Sequence, residues 1–109
     1  MSEATPLERL QRWFAAQCNG TWEHEWGVKI ETLDNPGWLV RIDLAGTPWA
    51  AKEFPRRKEG INDAGHPVAE RWIHCFTQDQ LFLGACDAHQ LGRVIELFLA
   101  WVDDAPPTA

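Results

Sequence analysis

The sequence predicts an α+β domain: an antiparallel sheet of four to five strands with an N-terminal and a C-terminal helix packed on one face. Two observations carry this. Helical periodicity is confined to the two ends of the chain, and two pairs of strand-like runs lie between them, each joined by a short polar turn. Helices set apart from strands along a chain build α+β folds rather than alternating parallel ones. At 109 residues the chain suits one domain with a core of its own, read here as residues 1–104 with a disordered tail at 105–109.

The first helix is read from "TPLERLQRWFAAQC". Thr5 suits the N-cap, Pro6 the first helical position, and Glu8 completes a capping box. Leu7, Leu10, Phe14 and Cys18 share a face with Trp13 beside them, and Asn19-Gly20 supplies the stop.

A hairpin follows. In "WGVKIETL", Trp26, Val28, Ile30 and Thr32 alternate with Gly27, Lys29, Glu31 and Leu33; in "WLVRIDL", Trp38, Val40, Ile42 and Leu44 alternate with Leu39, Arg41 and Asp43. Opposed residues share a face, so the expected pairs are Thr32 with Val40, Ile30 with Ile42 and Val28 with Leu44. That register sets Glu31 against Arg41 and Lys29 against Asp43, around a loop centred on Pro36 with Pro36-Gly37 in a type II turn.

The Gly- and Pro-rich segment 46–70 is expected to hold a short strand around Trp49–Phe54 and then a long loop, with the basic cluster "KEFPRRKE" solvated. "ERWIHCF" and "QLFLGAC" flank "TQDQ" as a second hairpin whose register the pattern leaves open. In the final helix Asp87 and Gln90 make a capping box, and Leu91, Val94, Ile95, Phe98, Leu99 and Val102 form one apolar stripe.

Composition bounds the function. A net charge of −6 argues against nucleic acid or an anionic membrane as the direct ligand and favours a basic partner. No apolar run approaches the roughly 20 residues needed to span a bilayer. The first residues lack a basic segment followed by an apolar one, so no signal peptide is expected. Three cysteines without CxxC spacing fit a reducing compartment, and a cytoplasmic location follows as an expectation.

Candidate chemistry is sparse. Glu23-His24-Glu25 is a conceivable metal triplet, but consecutive residues on a strand face apart, so no metal site is expected. The opposing enzyme reading is a small Cys-dependent, sulfur-transfer type of activity at Cys75 or Cys86, the latter placed before a helix. No nucleotide-binding or serine-hydrolase motif is present, and nothing asks for a cofactor. Of seven tryptophans, Trp26, Trp38, Trp72 and Trp101 are expected in the core. Trp22 and Trp49 are expected to be semi-exposed. An exposed indole among carboxylates suits a docking patch, so Trp22, Glu23, Glu25, Asp34, Asp43 and Trp49 are the candidate partner-binding residues.

The run "LQRWFAAQCNGTWEHEWGVKIETLDNPGWLVRIDL" resembles the immunity protein 53 family of bacterial polymorphic-toxin systems. The likeness rests on Trp13, Cys18, Gly20, Trp22-Glu23-His24, Gly27, Ile30, Thr32 through Trp38 and the "IDL" that follows. Trp72, Ile73, Cys75 and the terminal "FLAW" fit more loosely. It implies a small cytoplasmic α+β protein that binds and neutralises a cognate toxin by occlusion, without catalysis. A basic nuclease toxin is the charge-based choice of target. Gly27, Asn35, Pro36, Gly37 and the inward Trp26/Trp38 set then read as scaffold.

Overall fold

The computed structural model describes residues 4–34 and 36–104. Asn35 in the hairpin turn and the tail at 105–109 lie outside the described residues. Helix α1 spans Pro6–Gln17 and starts as its sequence dictates: the Thr5 hydroxyl accepts from the Glu8 N–H at 3.1 Å, and the Glu8 carboxylate accepts from the Thr5 N–H at 3.2 Å. Its buried residues are Leu10 and Trp13, whereas Leu7 and Phe14 are exposed. The expected Leu7/Phe14 face is therefore turned outward. The Trp13 ring takes the interior, meeting Phe98 edge-on at 5.1 Å and Trp49 at 6.0 Å, because the larger indole gains more from burial.

Strands β1 (Val28–Leu33) and β2 (Gly37–Asp43) form the first hairpin. The register is displaced from expectation by two residues: Val28 pairs with Ile42, Ile30 with Val40 and Thr32 with Trp38. A two-residue shift keeps every side chain on its expected face but changes its neighbours. Glu31 stands opposite Leu39 and Lys29 opposite Arg41, so the expected cross-strand ion pairs do not form. Gly37 lies in β2 and pairs with Leu33, not in the expected Pro36-Gly37 turn, so the hairpin closes one position earlier than a loop centred on Pro36 would.

Strand β3 (Arg57–Glu59) lies inside the basic cluster, not around Trp49–Phe54, where residues 49–51 form a turn and 52–54 are irregular. The structure thus corrects the strand's place and the unbroken loop, while Arg56, Arg57 and Lys58 are exposed as expected. Strands β4 (Ile73–Gln78) and β5 (Leu81–Asp87) make the second hairpin, with Asp79 and Gln80 both at positive φ (52° and 63°), the conformation a two-residue type I′ turn requires. The sheet is antiparallel throughout, in the order β1-β2-β5-β4-β3.

Helix α3 (Leu91–Asp104) crosses the inner face at β5 and β2, and α1 packs against α3. The expected stripe is the observed one, with Val94, Ile95, Phe98, Leu99 and Val102 buried and Trp101 added. Asp87 is the last residue of β5 rather than the helix cap. The expected capping box does not form: the Gln90 N–H donates to the Asp87 carbonyl at 3.3 Å, and Gln90 Nε2 donates to the Asp87 carboxylate at 2.7 Å. That carboxylate also accepts the N–H groups of Trp72 (2.8 Å) and His89 (2.9 Å), so it ties the helix approach to the start of β4. The close seat of α3 explains Gly84: a Cβ there would collide with Val94.

Candidate partner-binding surface

Residues 22–25, expected to be extended, form instead a helical turn, α2 (Trp22–Glu25). Local side chains offer the backbone this alternative. The Asn19 side-chain oxygen accepts from the N–H groups of Thr21 and Trp22, both at 2.9 Å. The Glu23 carboxylate reaches back to the N–H groups of Asn19 (3.0 Å) and Gly20 (2.9 Å). Its own backbone N–H, with those of Asn19 and Gly20, holds Glu23 below the usual carboxylate range.

Helical coiling rotates Trp22 inward, and the expected exposure of Trp22 is corrected. It is 5% exposed, with its indole N–H donating to the Ala45 carbonyl at 2.8 Å and its ring edge-on to Trp13 at 6.2 Å. The same turn pushes Trp26 out. Trp26, expected in the core, is 40% exposed and follows the exposed Glu25. The partly exposed indole among carboxylates exists, but it is Trp26.

The other candidates divide. Asp43 is half-buried, and its carboxylate accepts from the Gly27 N–H at 2.8 Å while its own N–H donates to the Gly27 carbonyl at 3.0 Å. This clamp fixes the start of β1 beside α2. Asp34 is exposed at the hairpin's far end, about 20 Å away along a six-residue strand. Trp49 is half-buried against Trp13, its indole donating to the Val102 carbonyl at 3.3 Å. The structure therefore gathers Trp22, Glu23, Glu25, Trp26 and Asp43 at one corner and leaves Asp34 and Trp49 elsewhere. The signal that could have found Trp26 was Asn19 four residues before Glu23, which reads as a turn and moves Trp26 out of the strand.

The remaining chemistry is committed or suppressed. A cleft of about 730 Å³ is lined by Pro36, Pro67, Glu70, Arg71, Asp87 and His89 among others. Burial pushes the Asp87 carboxyl up, but bonds from His89, Trp72 and Gln90 outweigh it and leave it low. Both of its oxygens accept from protein donors, three bonds in all, which commits it to structure. Cys75 and Cys86 are fully buried on the inner face. Burial pushes their thiols up to about 12 and about 11 respectively, opposite to the lowering a nucleophile needs. Among the described residues no three His, Cys, Asp or Glu side chains are grouped to hold a metal ion, and no helix is long and apolar enough to cross a membrane.

Comparison with known proteins gives one finding. The family model described as immunity protein 53 matches residues 7–103. No curated protein and no solved structure matches the chain.

Proposed function

The chain belongs to the immunity protein 53 family, and from that premise we propose that it neutralises its cognate bacterial toxin by covering it, through the corner formed by α2 and Trp26. The family role implies a protein toxin as partner. The observation that supports the corner is Trp26, 40% exposed on a tryptophan-rich protein whose six other indoles are buried or half-buried. A partly exposed indole is the commonest energetic anchor of an interface, and acids beside it steer a basic partner. Glu25 is exposed there and has no partner among the described residues. The net charge of −6 favours a toxin with a basic contact surface, and a nuclease fits that chemistry. Action in the cytoplasm belongs to the same reading. Occlusion needs no nucleophile from this chain, in keeping with two thiols held protonated.

The test is titration of the toxin domain against Trp26→Ala and Glu25→Lys. Trp26→Ala is expected to weaken binding roughly 30-fold, the loss of about 2 kcal/mol typical of a hot spot. Glu25→Lys is expected to slow association, with the effect shrinking as salt rises. Glu23 is unsuitable for this purpose, since replacing it also removes the cap on Asn19 and Gly20. Unchanged affinity in both variants, each folded, would place the toxin on another surface.

A further inference from the structure

The two edges of the sheet differ. Strand β3 is three residues long, charged in every residue and preceded by Pro55 nearby, which are the devices that blunt an edge against pairing. Strand β1 has six residues, no proline and four exposed residues in a row. Its outer backbone groups can be assigned. The Asp43 N–H donates to the Gly27 carbonyl, and Gly27 stands one step beyond the Val28–Ile42 pair. Hydrogen-bonded and non-bonded positions alternate along an antiparallel ladder, so residues 29, 31 and 33 turn their backbone groups toward β2. The N–H and C=O groups of Val28, Ile30 and Thr32 point away from the sheet.

The side chains on this edge are also unfinished. Lys29 stands opposite Arg41, a like charge, and Glu31 opposite Leu39. Neither has an ion-pair partner among the described residues. On the helix side a groove of about 240 Å³ runs between α1 and β1, lined by Leu7, Leu10, Gln11, Phe14, Val28 and Ile30. Leu7 is 54% exposed, Ile30 37% and Phe14 36%, so three of the five exposed large hydrophobic residues among those described meet here.

We propose that β1 is a self-association edge, pairing antiparallel with β1 of a second copy about a two-fold axis at Ile30. The phase of the ladder allows that centre, and the backbone groups and charges together select it. It bonds Ile30 to Ile30 and Val28 to Thr32 in both directions, using all the outward backbone groups of residues 28, 30 and 32. It sets Lys29 opposite the second copy's Glu31, twice, at the non-bonded positions where side chains approach closest. The like-charge neighbour of Lys29 and the apolar neighbour of Glu31 are each answered by the same symmetric contact. It also joins the two apolar grooves end to end, as expected of an isologous interface. The occupant is thus a second copy rather than an arbitrary strand: the charges complement each other only when the strand meets itself in this register. The inference does not rest on the toxin reading, and its test contains no toxin.

The experiment is sedimentation velocity over a concentration series on the full chain and three variants. Wild type is expected to form a concentration-dependent dimer. Lys29→Glu and Glu31→Lys are each expected to raise the dimer Kd about tenfold or more, because each turns two attractive pairs into repulsive ones. The double variant Lys29→Glu/Glu31→Lys restores opposite charges and is expected to recover the dimer. Lys29→Glu also places an acid opposite Arg41, so its thermal midpoint should hold or rise while its dimer weakens, which separates pairing from misfolding. Zero-length carbodiimide coupling of mixed isotope-light and isotope-heavy wild-type chains should join Lys29 of one label to Glu31 of the other. A monomer at every soluble concentration, a dimer indifferent to the single reversals, or a double variant that fails to recover each overturns the proposal.

Discussion

Single residues decide where this protein's tryptophans go. Trp22 and Trp26 exchange the roles that their sequence neighbourhood suggests, because the Asn19 and Glu23 side chains coil four residues that alternation would leave extended. Burial of large aromatics was legible; which of two aromatics four residues apart is buried was not, since it depends on one local hydrogen-bonding choice. The interior then treats two indoles unequally. Trp22 donates to Ala45, whereas the buried Trp13 Nε1 has no partner among the described atoms. Phenylalanine in place of either removes the same ring and N–H. Trp22→Phe leaves the half-buried Ala45 carbonyl without its donor and should therefore cost more, by about 1 kcal/mol, than Trp13→Phe, as read from urea unfolding.

At the scale of elements, helices were the easiest to read. Their caps and stripes are local, and Thr5, Glu8 and the Val94-to-Val102 stripe all stand where spacing puts them. Thr5→Ala, which removes half of the reciprocal cap, should lower stability by about 1 kcal/mol in denaturant titration. The hairpin was half legible. Alternation assigns faces but is blind to a shift of two residues, so only the turn sets the pairs, and the strands close with Leu33 paired to Gly37. Strand β3 was hidden because three charged residues at an edge carry no alternating pattern. Of the candidate surface, the exposure of Glu25 was legible, whereas the capping role of Glu23 and the exchange of Trp22 for Trp26 were not, for want of the helical turn.

At the scale of the whole molecule, charge sets the response to acid. Hydrogen bonds hold Glu8, Glu23 and Glu59 low, to the backbone and hydroxyl of Thr5, to backbone N–H groups and to Arg93 respectively. Asp87 is low as well, its bonds outweighing burial. A carboxyl lowered in the fold is protonated first in the unfolded chain. Its contribution is complete above the ordinary carboxylate pKa of about 4 and is lost as pH falls through the folded value. His74 is lowered by burial and by the cations Arg56 and Lys58, so its contribution is complete above about pH 6.5 and is lost below. The thermal midpoint should thus be level near neutrality, dip gently below about pH 6.5 and fall steeply below about pH 4. His74→Gln should remove the first step and spare the second. The sequence made the acidic α+β fold legible, but not which faces remain open, because that depends on how far α1 leans over β1. The two inner-face thiols carry a last consequence. Cys75 and Cys86 are sealed under α3 while Cys18 is only half-covered, so an alkylating reagent meets three sites on two clocks. Cys18 is modified at the pace of local fluctuation, and the inner pair only when the sheet and α3 part company, which makes their alkylation rate a built-in gauge of global opening.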